Sequence, residues 1–135
     1  MESLWPKLEE VAMNVPYKIL QEQTDAFNEQ MQGALVCTLE KDKYKSKGFI
    51  SIENYDFCAR MYISSPNLAD YRLQLLVVNF SIAKAYPCTV ENCLDEYVGD
   101  KKAENSEEFK SILKEIFHSK KVIDALNNIV AQSLL

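Results

Sequence analysis

The feature that most constrains this chain is a change in hydrophobic period, which happens twice. Tyr17, Leu20, Thr24, Phe27 and Met31 recur at alternating three- and four-residue spacing, the stripe of an amphipathic helix. Glu22, Asp25 and Glu29 lie off that stripe, and Gly33 suits the helix stop. From Leu35 the period drops to two. Leu35, Cys37 and Leu39 alternate with Val36, Thr38 and Glu40. Ile50 and Ile52 share a face, and then Tyr55, Phe57, Ala59, Met61 and Ile63 do. Tyr71–Phe80 carries Leu and Val on both faces, as a covered central strand does, and a shorter strand is expected over Cys88–Cys93. The helical period returns with Phe109, Ile112, Leu113, Ile116 and Phe117, then with Val122, Ile123, Leu126, Ile129 and Val130.

The boundaries between these runs have chemical reasons. Ser3 is an acceptable N-cap and Pro6 fits a first helical turn, so Leu8, Val11 and Val15 predict a short leading helix. Pro16 ends it, because proline lacks an N–H and biases Val15 away from the helical region. Ser64-Ser65-Pro66-Asn67 is a turn. Leu94–Asn105, mostly charged and containing Gly99, predicts a loop. Asn105 with Glu108 three residues on forms a capping box, and Ser119 can cap the last helix. The expected fold is α+β: N-terminal helices, an antiparallel sheet of four or five strands, and two C-terminal helices, in one domain over 1–135. Read literally, the alternation leaves Tyr62, Leu76, Val78 and Phe80 on the sheet face away from the helices. That face is then apolar enough to bind a partner or a second copy.

Composition narrows function more by exclusion than by assignment. The 135 residues hold 15 bases and 20 acids, a net charge of −5, which argues against a general nucleic-acid binder. No apolar run reaches the roughly 20 residues of a membrane span. The first twenty residues carry Glu2, Lys7, Glu9, Glu10 and Lys18, which disrupt a signal-peptide core, so a cytosolic protein is expected. There Cys37, Cys58, Cys88 and Cys93 stay as thiols. Three scattered glycines make no phosphate loop, and the cysteine spacing with the lone His118 makes no zinc pattern. His118 fits a helix C-terminus, where free carbonyls and the helix dipole favour it. The residue pattern therefore yields no catalytic residue, metal or cofactor.

The charge is unevenly spread. Residues 1–36 hold six acids and two bases, and residues 91–108 seven acids and two bases. Between them Lys41, Lys43, Lys45 and Lys47 alternate with Asp42, Tyr44 and Ser46. In an extended segment these lysines share one side, either as an anion- or partner-binding patch or as charges that discourage edge pairing. Arg60 and Arg72, on neighbouring strands, are further candidates to hold an anion. The reading that follows is a small protein–protein interaction module, dimeric, acting through an apolar sheet or helix face. Two alternatives stand beside it. One is an acidic chaperone- or immunity-like protein that binds another protein. The other is a small-ligand binder or enzyme with an atypical pocket near Cys58, Arg60, Tyr62 and Arg72.

Overall fold

A computed structural model describes residues 1–8, 14–44 and 55–135. One helix, α1 (Pro16–Met31), precedes five strands: β1 (Val36–Lys43), β2 (Phe57–Ser64), β3 (Arg72–Phe80), β4 (Cys88–Asn92) and β5 (Lys101–Ala103). Helices α2 (Ser106–Phe117) and α3 (Lys120–Ser133) complete the chain. The sheet is an antiparallel meander, β1-β2-β3-β4-β5, so every strand pairs with its neighbour in sequence. The α+β class and the element order are those expected, with five strands.

The local chemistry explains each helix boundary. Pro16 opens α1, where its missing N–H has no intrahelical partner to lose. Gln32 and Gly33, both at positive φ, end it. Asn105 Oδ1 accepts the Glu108 N–H at 2.9 Å and starts α2. Glu108 reaches back past the cap, so Oε2 accepts the Glu104 N–H at 2.7 Å. Ser119 Oγ accepts the Val122 N–H at the start of α3. His118 ends α2, its Nδ1 2.9 Å from the Lys114 carbonyl.

All three helices bury their stripes against one face of the sheet. Leu20 of α1, Phe109, Leu113 and Ile116 of α2, and Val122 and Ile129 of α3 share a core with the sheet. The strands supply Cys37, Ala59, Met61, Ile63, Leu76, Val78, Phe80, Cys88 and Val90. Leu76, Val78 and Phe80 are therefore core, not a displayed surface, and of the four residues expected on an apolar outer face only Tyr62 lies there. The reason is a bulge. Met61 pairs with Leu76 but Tyr62 pairs with Gln74, so Leu75 is an extra residue in β3. Literal alternation groups Leu76 with Tyr62. The actual register sets Leu76, Val78 and Phe80 beside Met61, Ala59 and Phe57 under the helices.

Three other expectations shift. Residues 1–8 and 14–15 are not helical, so the leading helix is not seen there; its remaining positions lie outside the described residues. So do Ile50 and Ile52, and with them the strand expected there. The loop over Leu94–Asn105 contains β5, whose Ala103 pairs with Cys88 and is fully buried.

The outer edge of the sheet is β1. Asn28 of α1 acts there as a surrogate peptide: Nδ2 donates to the Cys37 carbonyl at 2.9 Å, and Oδ1 accepts the Cys37 N–H at 2.7 Å. Cys37 thus turns its backbone away from β2. The Tyr44 N–H, in the opposite phase, donates inward to the Asp56 carbonyl. Even-numbered residues of β1 carry the ladder to β2, and odd-numbered ones face outward. Asn28→Ala should remove both hydrogen bonds and leave the Cys37 peptide unpaired. A loss of about 1–2 kcal/mol is expected, measured as a lower urea midpoint with an unchanged denaturant slope.

Candidate functional site

The face of the sheet away from the helices is polar, and open except around Cys58 and Asn79, which are buried. Thr38, Glu40 and Asp42 of β1 lie beside Tyr62, Arg60 and Cys58 of β2. Next come Gln74, Val77 and Asn79 of β3, then Glu91 and Thr89 of β4. Arg60 Nη1 meets Asp42 Oδ2 at 3.4 Å, and Arg72 Nη1 meets Glu40 Oε1 at 2.6 Å. The Arg72 guanidinium also lies 3.8 Å over the Tyr62 ring. For Arg60 desolvation is the largest single influence and disfavours the charge, but Cys58, the hydrogen bond to Asp42 and Tyr62 together outweigh it and favour the charged form. For Arg72 the hydrogen bond that it donates to Glu40 does the same. Asn79 Nδ2 donates to Glu91 Oε2 at 3.0 Å, and Gln74 Nε2 donates to Cys93 Sγ.

These contacts decide the anion-binding candidates. Arg60 and Arg72 do share a face, as their neighbouring strands imply. Each is held by a carboxylate of β1, so an incoming anion must displace an existing partner. Lys41 points to the other face, at the edge of the core, where its ammonium lies 5.0 Å from the Tyr17 ring centre and 5.6 Å from that of Phe57. Its stem covers those rings while the charge remains in solvent. Lys43 is exposed one step along the same side of β1. Lys45 and Lys47 lie outside the described residues.

A small cleft lies at the other end of the molecule, under the 95–99 loop. Val90, Val98, Ile112 and Ile116 form its apolar lining. Its charged rim is already paired: Lys101 with Glu115 at 3.3 Å, and Asp95 with Lys121 at 3.4 Å. Among the described residues, no three His, Cys, Asp or Glu side chains converge as metal ligands. No helix among them is long and apolar enough to cross a membrane.

The surface feature that residue pattern alone did not single out is the N-terminal arm. Leu4, Trp5 and Leu8 are 95 %, 85 % and 85 % exposed. Trp5 is the only tryptophan in the chain. The arm is tied to the domain at its root, where the Tyr86 hydroxyl donates to the Asn14 carbonyl and Pro16 is buried. The sequence signal lies in Leu4, Trp5 and Leu8, but helical spacing drew only Leu8 into a reading, as part of the expected leading helix, and passed over Leu4 and Trp5. At one margin of the sheet, β1 carries no further strand among the described residues. Among the described residues, the outward N–H and C=O groups of Leu39 and Lys41 have no partner. Asn28 takes those of Cys37, and the Lys43 N–H donates to Asp42 Oδ1.

Comparison of the chain with protein-family models, curated proteins and solved structures found no match.

The thiols show what this surface withholds. Burial raises Cys37 to about 11, against a smaller opposing effect of its contact with Thr24, and raises Cys88 to about 12. At pH 8 a thiol reagent should modify half-buried Cys93 first and leave Cys37 and Cys88 intact until the protein unfolds. The folded state holds these protons more tightly than the unfolded chain, whose thiols ionise near 9.0. Their contribution is complete below that pH and declines as pH rises towards 11 and 12. The urea midpoint should accordingly be lower at pH 10 than at pH 8.

Proposed function

We propose that this chain is a protein-binding module, without catalytic chemistry of its own, that pairs with a second copy of itself through its N-terminal arm. The observation that carries this reading is the near-complete exposure of Leu4, Trp5 and Leu8 on a segment rooted in the domain. Leaving three large apolar side chains in water forgoes several kcal/mol of burial, at roughly 1.5–3 kcal/mol for each side chain fully buried. Tryptophan is also the residue type most enriched among binding anchors. The arm's own charge favours a protein over an anionic bilayer or nucleic acid, since residues 1–14 hold three acids and one base.

This revises the surface first expected to bind. Tyr62, on the open face, is half-buried and still available to a partner, but Leu76, Val78 and Phe80 lie under the helices. The arm takes their role as the apolar element. Light scattering across a hundredfold range of protein concentration should show a monomer passing to a dimer. Over the same range Trp5 emission should move to shorter wavelength. Trp5→Ala combined with Leu8→Ala should hold the protein monomeric while leaving its circular dichroism and urea midpoint unchanged. A wild-type protein that stays monomeric, with the emission of a solvated indole throughout, would falsify this reading.

A further inference from the structure

We propose that Glu2–Trp5 of a second copy adds to the sheet as an antiparallel strand on the edge of β1, opposite Thr38–Lys41. This rests on the reading above and names the surface that receives the arm. Three features of the edge match three features of the arm in one register.

The first match is in hydrogen bonding. Only Leu39 and Lys41 present unpartnered outward peptides among the described residues of β1, and they are two residues apart. Leu4 and Glu2 have the same spacing and so turn their backbones to the same side of an extended strand. With Leu4 opposite Leu39 and Glu2 opposite Lys41, the next pairing would be Pro6 opposite Cys37. Proline has no N–H to give, and Asn28 already satisfies Cys37. The added strand therefore stops where the acceptor edge stops.

The second match is in the side chains. Residues directly opposite in an antiparallel pair share a face. This register sets Leu4 beside half-buried Leu39, and the Glu2 carboxylate beside the Lys41 ammonium. A parallel strand would put Glu2 at Leu39 instead and lose the charge pair. The third match is on the open face, where Trp5 falls opposite Thr38, whose partner across β1 and β2 is Tyr62. The indole then covers the half-buried Tyr62 ring, on which the Arg72 guanidinium already lies.

Position allows the exchange to be reciprocal. The arm's root at Val15–Pro16 adjoins Tyr17, whose ring is under Lys41 of the same edge. The nine residues between Trp5 and that root span up to about 30 Å when extended. A twofold axis beside β1 lets each arm reach the other copy's edge, which closes the assembly at two. In the single chain the arm's apolar residues remain in solvent, so its own edge is not their place of burial.

The charge pair supplies the test. Dimer dissociation constants would be measured by sedimentation equilibrium for the wild type, Glu2→Lys, Lys41→Glu and the double variant carrying both. Each single reversal turns attraction into repulsion at two symmetry-related pairs and should weaken the dimer roughly tenfold. The double variant should recover most of that loss, which a merely structural role for either residue does not predict. Leu4→Pro removes one of the two arm N–H donors and should also weaken the dimer. A dimer that dissociates on Trp5→Ala but ignores the reversals would overturn this edge while sparing the arm. A monomer at all concentrations would overturn both. A monomer whose Trp5 emission is already shifted, independently of concentration, would mean that the arm closes on its own edge, and would overturn the second copy.

Discussion

The structure depends on burying one face of a single antiparallel sheet, and on the bulge that decides which face it is. With one sheet among the described residues, the core is the space between its strands and the helices. Every strand must therefore turn its apolar residues the same way. In β3 that requires a change of phase. Arg72 and Gln74 belong with the polar side chains of the open face, while Leu76, Val78 and Phe80 belong with the core. Leu75 supplies the extra residue between these sets and is itself buried. Without that insertion a continuous strand would carry either Arg72 into the core or Val78 out of it. The bulge lets Leu73, Leu75, Leu76, Val78 and Phe80 contribute apolar surface to the core from one strand.

The open face then follows as an electrostatic consequence. With the apolar residues turned inward, it holds Arg60 and Arg72, which pair across strands with Asp42 and Glu40, and Asn79, which donates to Glu91. Such exposed pairs contribute little to stability but fix which charges are available to anything outside. The arginines are committed. Lys41, lifted over Tyr17 and Phe57 at the margin of the core, has no carboxylate within ion-pairing distance among the described residues. Net charge alone gives no hint of this difference between two kinds of cation.

Much of this architecture is legible in the sequence because periodicity reports burial directly. The stripe from Tyr17 to Met31 is α1, and Asn105 and Ser119 cap the helices that their positions suggest. What the pattern conceals is anything that depends on register between strands. One inserted residue inverts the face assignment of Leu76 and Val78, and no single-strand pattern records an insertion measured against a neighbour. The strand at Lys101–Ala103 is hidden for a related reason. Three residues, two of them lysines, carry no period, and only the buried Ala103 against Cys88 reveals them as sheet. The arm is the reverse case. Leu8, Val11 and Val15 have helical spacing, yet Leu8 stands in solvent, because spacing describes a face and cannot supply the surface that would cover it.

The meander itself bears on how the chain acquires this form. Since every strand pairs with its immediate successor, each ladder closes a short segment, and no strand waits for a distant partner to arrive. The entropic cost of bringing strands together is incurred in small steps, each followed at once by a gain in pairing. Helices α2 and α3 come last in the chain and pack onto a sheet that can already exist. Sequence order and assembly order can therefore coincide, and a chain emerging from its amino end can build the sheet before the helices that cover it have been made.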